Sequence, residues 1–152
     1  MDETSRERRI GWIGVVNLAA WIGMLAVNLL ANTLPIAGRT TGAVSDAYPN
    51  LFTPAGLTFS IWGVIYILQG VYAVSPFGVF GGRCLVRTEI VRASSGPFVM
   101  YALLNVSWLF AWHYDRIVLS MILMVLLLGS CIWGYLVMER FQPRMRLPDK
   151  IF

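Results

Sequence analysis

Four long apolar blocks, separated by clusters of turn-forming residues, organise this chain. The first runs from Ile10 to Ala31 without a charge, and the second from about Pro54 to Ser75. The third covers Pro97 to His113, and the fourth, again uncharged, Ile117 to Met138. At about 1.5 Å of rise per residue, about 20 helical residues cross a hydrocarbon core of about 30 Å. The pattern therefore predicts an all-α fold, a polytopic transmembrane helix bundle with four spans. Their expected bounds are 10–33, 54–75, 97–113 and 116–140, within a single membrane domain over 1–152. The third span is near the lower length limit.

The ends of the blocks carry matching punctuation. Thr4 with Glu7 reads as a capping box, and Pro35 stops the first helix. Thr53 before Pro54 reads as an N-cap followed by proline in the first turn. Ser75-Pro76 and Gly78 end the second helix, Gly96-Pro97 opens the third, Asp115 caps the fourth and Pro143 ends it. The connection over 34–53 is long for a bundle. It carries Leu34, Ile36, Val44, Tyr48, Leu51 and Phe52, more apolar residues than a solvated loop needs. It is expected to be ordered and to fold over the outer mouth of the bundle.

Within the helices, polar and aromatic residues recur at helical spacing. Asn17, Trp21, Met24 and Asn28 share one face of the first helix. Phe59, Trp62, Tyr66 and Gln69 share a face of the second, beside a heptad of glycines, Gly56, Gly63 and Gly70. Tyr101, Asn105, Trp108 and Trp112 share a face of the third. An amide facing lipid is costly, so Asn17, Asn28, Gln69 and Asn105 should point into the bundle. The glycines should let helices approach closely. Trp12, Trp112 and Trp133 lie near helix ends and read as interfacial anchors. Trp21, Trp62 and Trp108 lie deeper, and serve either as plain packing or as walls for a ligand. The fourth helix, apart from Ser120, Ser130 and Trp133, is uniformly aliphatic and should mostly face lipid.

Composition agrees with the membrane reading. The chain is 57% hydrophobic and 13% charged, against about 25% charged in ordinary soluble domains. The first block is too long for a signal peptide and lacks a small-x-small cleavage site, so it is expected to be retained. Ten basic residues fall in the N-terminal tail, the second loop and the C-terminal tail; only Arg39 and Arg116 fall on the other side. The positive-inside rule then places both termini in the cytoplasm. The net charge of +4 follows from topology and from attraction to anionic lipid, and gives no reason to expect a nucleic-acid partner. Cys84 is expected in a reducing compartment and Cys131 in mid-membrane, so no disulfide is expected.

No catalytic constellation is visible, and no Cys/His set has metal-ligand spacing. His113, the one histidine, stands at the outer end of the third helix beside Asp115 and reads as structural or solvated. No carboxylate lies inside the four blocks, so a proton relay lacks its carriers. Neither an enzyme nor an ion-driven pump is expected.

Two stretches carry a family resemblance. One is Asn32-x-Leu34-Pro35-Ile36 through Phe52-x-Pro54-Ala-Gly-x-x-Phe59-x-x-Trp62-x-x-x-Tyr66; the other is Asn105-x-x-Trp108. Together they resemble the TspO/MBR family, the tryptophan-rich sensory proteins related to the mitochondrial translocator protein. The likeness covers roughly residues 10–140. It implies a five-helix bundle, often a homodimer, in the bacterial inner membrane. It also implies a pocket, capped by the first loop, for porphyrins and other flat hydrophobic molecules. On this resemblance Trp62, Tyr66, Asn105 and Trp108 line the pocket, and Phe59, Trp21 and Asn28 join them as candidate ligand contacts. The chain departs from the family pattern twice. Phe52-Thr53-Pro54-Ala55 stands where the family has Trp-x-Pro-Pro, and four spans stand where it has five. The expectation is a membrane protein binding a porphyrin- or haem-type ligand in a sensory or regulatory role, with lipid as its surroundings. The alternatives are a truncated remnant that binds nothing and a small transporter or channel.

Overall fold

The computed structural model describes residues 3–34, 36–48, 60–79, 86 and 88–141. Its elements are helical, with no strand among the described residues. They are α1 (Glu3–Thr33), α2 (Thr41–Asp46), α3 (Ile61–Val74), α4 (Thr88–His113) and α5 (Ile117–Glu139). The proposed Thr53-Pro54 cap, Gly56, Phe59, Cys84 and Pro143 lie outside the described residues.

Two segments, Gly11–Gly38 and Ile117–Glu139, are long and apolar enough to cross a membrane; Ile61–Phe77 is apolar but shorter. The reason α4 is more polar is its position. It packs against α1, α2 and α5, so it buries Ser94, Asn105 and His113 in contacts with its neighbours. By contrast α5 touches the bundle along one narrow line at Ser120, Leu127 and Ser130. Val118, Met121, Val125 and Leu128 on its other faces are exposed.

Several helix ends differ from the sequence expectation. The first helix begins at Glu3, so Thr4 lies inside it and cannot be its N-cap. The third does not open at Pro97 but begins at Thr88, with Pro97 inside it. Burial of Val91 and Ser94 holds the extra turns, and the Ser94 hydroxyl donates to Ile90 O at 2.6 Å. Packing thus outweighs the one backbone hydrogen bond that a proline removes. Asp115 does not cap the fourth helix; Arg116 stands at that position without a side-chain cap bond. Instead Asp115 ends α4. It adopts φ 54°, its N–H bonds Trp112 O, and Arg116 N–H reaches back to Ala111 O at 2.9 Å. This is the Schellman arrangement, with aspartate at the left-handed position usually given to glycine. At the other turn glycine does appear: Gly78, φ 63°, closes the 3₁₀ turn Ser75–Phe77 that ends α3.

Backbone packing follows an order: α3 lies on α1, α1 on α4, and α4 on α5. The predicted inward face of α1 is buried at Asn17, Met24 and Asn28. At one end Asn17 joins three helices. Its Oδ1 accepts from Ser95 Oγ at 2.7 Å, and its Nδ2 reaches the Tyr72 hydroxyl at 3.5 Å. The Tyr72 hydroxyl also shares a 2.7 Å hydrogen bond with Ser94 Oγ. Polar groups within a low-dielectric bundle stay because they are paired in this way.

The glycines split into two kinds. A Cβ at Gly70 would stand 2.6 Å from Trp21 Cζ2, so α1 and α3 need that glycine. Gly63 does not face another helix as expected, since a Cβ there would meet nothing within 4 Å. Trp133 is half exposed, and its ring edge covers Gly96 on α4.

The pair gives a direct check. Gly70→Ala should lower the melting temperature in detergent, because overpacking costs about 1–3 kcal/mol. Gly63→Ala should melt no lower than the wild type. Equal melting of the two variants would contradict the assigned contact between Trp21 and Gly70.

Candidate functional site

The backbones of α3 and α4 stand apart, and aromatic side chains bridge the space. Trp62 and Tyr66 lie one turn apart on α3; Trp108 and Trp112 lie one turn apart on α4. Trp62 stacks on Trp108 with ring centroids 5.7 Å apart and planes 23° from parallel. Tyr66 follows Trp62 at 6.0 Å, and Trp112 follows Trp108 at 6.2 Å. The four rings form a continuous row in near-parallel, offset contact, the arrangement their quadrupoles favour.

Three of these rings, those of Trp62, Tyr66 and Trp108, form one side of a cavity of about 460 Å³. Trp62, Tyr66 and Trp108 contribute from α3 and α4, and Asn28 and Asn32 from α1. Thr40 and Thr41 close it from the first connection. Among the described residues no charged side chain lines it. Gly63 also lines it, which is the reason its Cβ position is open.

The polar floor is an amide pair. Asn28 Nδ2 donates to Asn105 Oδ1 at 2.8 Å and to Met24 O at 2.9 Å. Asn105 is fully buried behind the wall, and its own Nδ2 has no hydrogen-bond partner. The Tyr66 hydroxyl lies beside it.

The lid begins with a reversal at Ala37 and Gly38, both at positive φ. Thr40 then caps α2, its hydroxyl oxygen accepting from Ala43 N–H at 3.3 Å. Val44 is fully buried beneath α2. Three contacts tie the lid down. Trp112 Nε1 donates to Thr41 O at 3.1 Å, Arg39 pairs with Asp115, and the Tyr48 hydroxyl reaches Asp115 Oδ1 at 3.5 Å. Trp112, near the end of α4, thus tethers the lid.

Of the residues singled out from the sequence, Trp62, Tyr66, Trp108 and Asn28 come together at the cavity. Asn105 supports it from behind. Trp21 lies elsewhere: its indole N–H donates to Tyr66 O at 2.9 Å and its ring covers Gly70, so it clamps α3 to α1. Phe59 is outside the described residues. Gln69 and Tyr101 line a second groove beside α5, where Gln69 Oε1 is buried without a partner. His113 is not solvated; it is fully buried, with Nδ1 2.8 Å from Leu109 O. Asn32 and Trp112 were readable as site residues, each lying one turn beyond a residue already chosen. Thr40 and Thr41 were not, since their place depends on how the lid folds back.

The sequence model of the TSPO-like protein family matches residues 14–151, and the chain belongs to that family. This agrees with the resemblance carried by the residues around Trp62 and Asn105. With its long apolar helices, membership makes this a membrane protein of the TspO type. No curated protein and no solved structure gives a significant match.

The lid contacts predict a local effect. Trp112→Phe keeps the ring but removes the donor to Thr41 O, a bond worth about 0.5–1.5 kcal/mol. Amide hydrogen exchange over 41–46 should speed up by roughly two- to tenfold, while α5 exchanges as before. Unchanged exchange over 41–46 would show that the indole N–H does not hold the lid.

Proposed function

We propose that this protein crosses the inner membrane four times, through α1, α3, α4 and α5, with both termini in the cytoplasm. Its cavity binds a flat hydrophobic molecule of the porphyrin or tetrapyrrole kind, and the bound state serves a sensory or regulatory role. A homodimer is the proposed assembly. The observation that carries the reading is the Trp62–Trp108 stack along a cavity of about 460 Å³ that no charged side chain lines among the described residues. Aromatic walls supply contact area and stacking, and a few fixed amides supply direction. The lid over the mouth would keep water from the bound ring. The aliphatic outer faces of α5 support a bilayer around the bundle.

Orientation is tested by reporter fusions. Fusions at Gly82 and Phe152 should report cytoplasm, and one at Thr41 the opposite side. A C-terminus on the outer side would overturn the four-span topology.

Binding is tested by titrating a porphyrin into the detergent-purified protein and following tryptophan quenching. Trp62→Ala and Trp108→Ala should each weaken binding by at least about tenfold, or about 1.4 kcal/mol. Trp133→Ala, half exposed on α5, should change it little. Equal losses at Trp133 and Trp62, or no saturable binding by the wild type, would remove the cavity as the binding site.

A further inference from the structure

The polarity of the cavity has a direction, and Asn28 sets it. Both hydrogens of its Nδ2 are used, one on Met24 O at 2.9 Å and one on Asn105 Oδ1 at 2.8 Å. A backbone carbonyl cannot turn over, so Met24 O fixes which end of the Asn28 amide is nitrogen. Asn105 must then present its oxygen to Asn28, leaving its own Nδ2 without a partner in the buried layer behind. What remains on Asn28 is Oδ1, with no hydrogen-bond partner among the described residues. One turn on, Asn32 repeats the pattern. Its Nδ2 donates to Asn28 O at 2.9 Å, which leaves its Oδ1 as an acceptor. Both residues line the cavity. The α1 wall therefore offers acceptors opposite an apolar aromatic wall, with no charged side chain lining the site among the described residues.

Resting on the ligand-binding reading above, we infer that the ligand brings a neutral N–H or O–H donor on the edge of its flat ring, and that Asn28 Oδ1 receives it. A ring seated against Asn28 Oδ1 shuts that acceptor from water, and an acceptor left unmet there costs free energy, so a ring without the donor is penalised as well as unrewarded. Sites built to hydrogen-bond a ligand reject analogues that lack the group far more strongly than apolar pockets reject a change of size. Within the flat hydrophobic class proposed above, the ligand edge that meets α1 thus carries a neutral N–H or O–H, as the lactam ring of an open-chain tetrapyrrole does; a closed porphyrin, whose N–H groups lie at its centre, would stack on the tryptophans without making this bond. A ring of the same shape carrying only acceptors at that edge is disfavoured.

Carbazole and dibenzofuran isolate the point. They share shape and size, and differ by an N–H in place of a ring oxygen. Each is titrated into the full-length protein in detergent, with empty micelles as reference. The wild type should bind carbazole at least about tenfold more tightly than dibenzofuran. In Asn28→Ala, and in the closer isostere Asn28→Leu, that ratio should fall towards one. The wild-type ratio decides the inference by itself, so a variant that fails to fold does not block the test. Equal affinities for the two probes, or an unchanged ratio in a folded Asn28 variant, would overturn the donor requirement while leaving the cavity reading intact. If neither probe binds saturably, or if Trp62→Ala leaves both affinities unchanged, the cavity reading fails and the donor inference fails with it.

Discussion

The hydrogen bond between Asn28 and Asn105 fixes α1 against α4, and the arrangement of the site depends on it. These amides lie 77 positions apart in the chain and meet at 2.8 Å in a buried layer. In a bundle surrounded by hydrocarbon, apolar side chains gain little by leaving lipid for one another. Directional polar contacts then select the register. Once Asn28 and Asn105 meet, Trp108 lies one turn further along α4 and can face Trp62. Two turns earlier on the same face of α1, Trp21 fixes α3 through Tyr66 O and through the space at Gly70. Both helices that carry the aromatic row are thereby placed by α1. The row bridges α3 and α4 where their backbones do not pack, and that separation leaves room for the cavity.

The lid depends on the same placement. Trp112 is the last ring of the row and also donates to Thr41 O, so stacking and lid closure share one side chain. Asp115 shares two roles in the same way. It terminates α4 in a left-handed conformation and pairs with Arg39. The turn between α4 and α5 thus orients the carboxylate that holds the lid. A glycine would suit the backbone there, but it would lose the ion pair.

The parts of the structure legible in the sequence are those governed by local periodicity. The spacing of Asn17, Met24 and Asn28 marked the buried face of α1. That of Trp62 with Tyr66, and of Asn105 with Trp108, marked the faces that meet. The aliphatic run of α5, interrupted by Ser120 and Ser130, marked its single inward line. The errors arose where one residue type serves two physical ends. Glycine allows either close packing, as at Gly70, or open space, as at Gly63, and spacing alone does not separate them. A tryptophan near a helix end carries no local sign that it also tethers a lid, and only the returning connection shows that Trp112 does. Pro97 reads as a helix start, but tertiary burial of Val91 and Ser94 carries the helix past it. Asp115 before an apolar run reads as an N-cap, although the preceding helix claims it. The roles of Thr40 and Thr41 had no local signal, because they arise from the folding-back of the connection.

The central claim is that a flat ring lodges against the Trp62–Trp108 stack. The most direct measurement labels the six tryptophans with 5-fluorotryptophan and follows their ¹⁹F resonances as porphyrin is added in detergent. A bound macrocycle imposes a large ring current on the indoles it contacts. Trp62 and Trp108 should shift strongly and saturate together, while Trp12 and Trp133, on the outer surface, hold their positions. Shifts at Trp12 and Trp133 with Trp62 and Trp108 unmoved would place the ligand on the lipid-facing exterior and contradict the account.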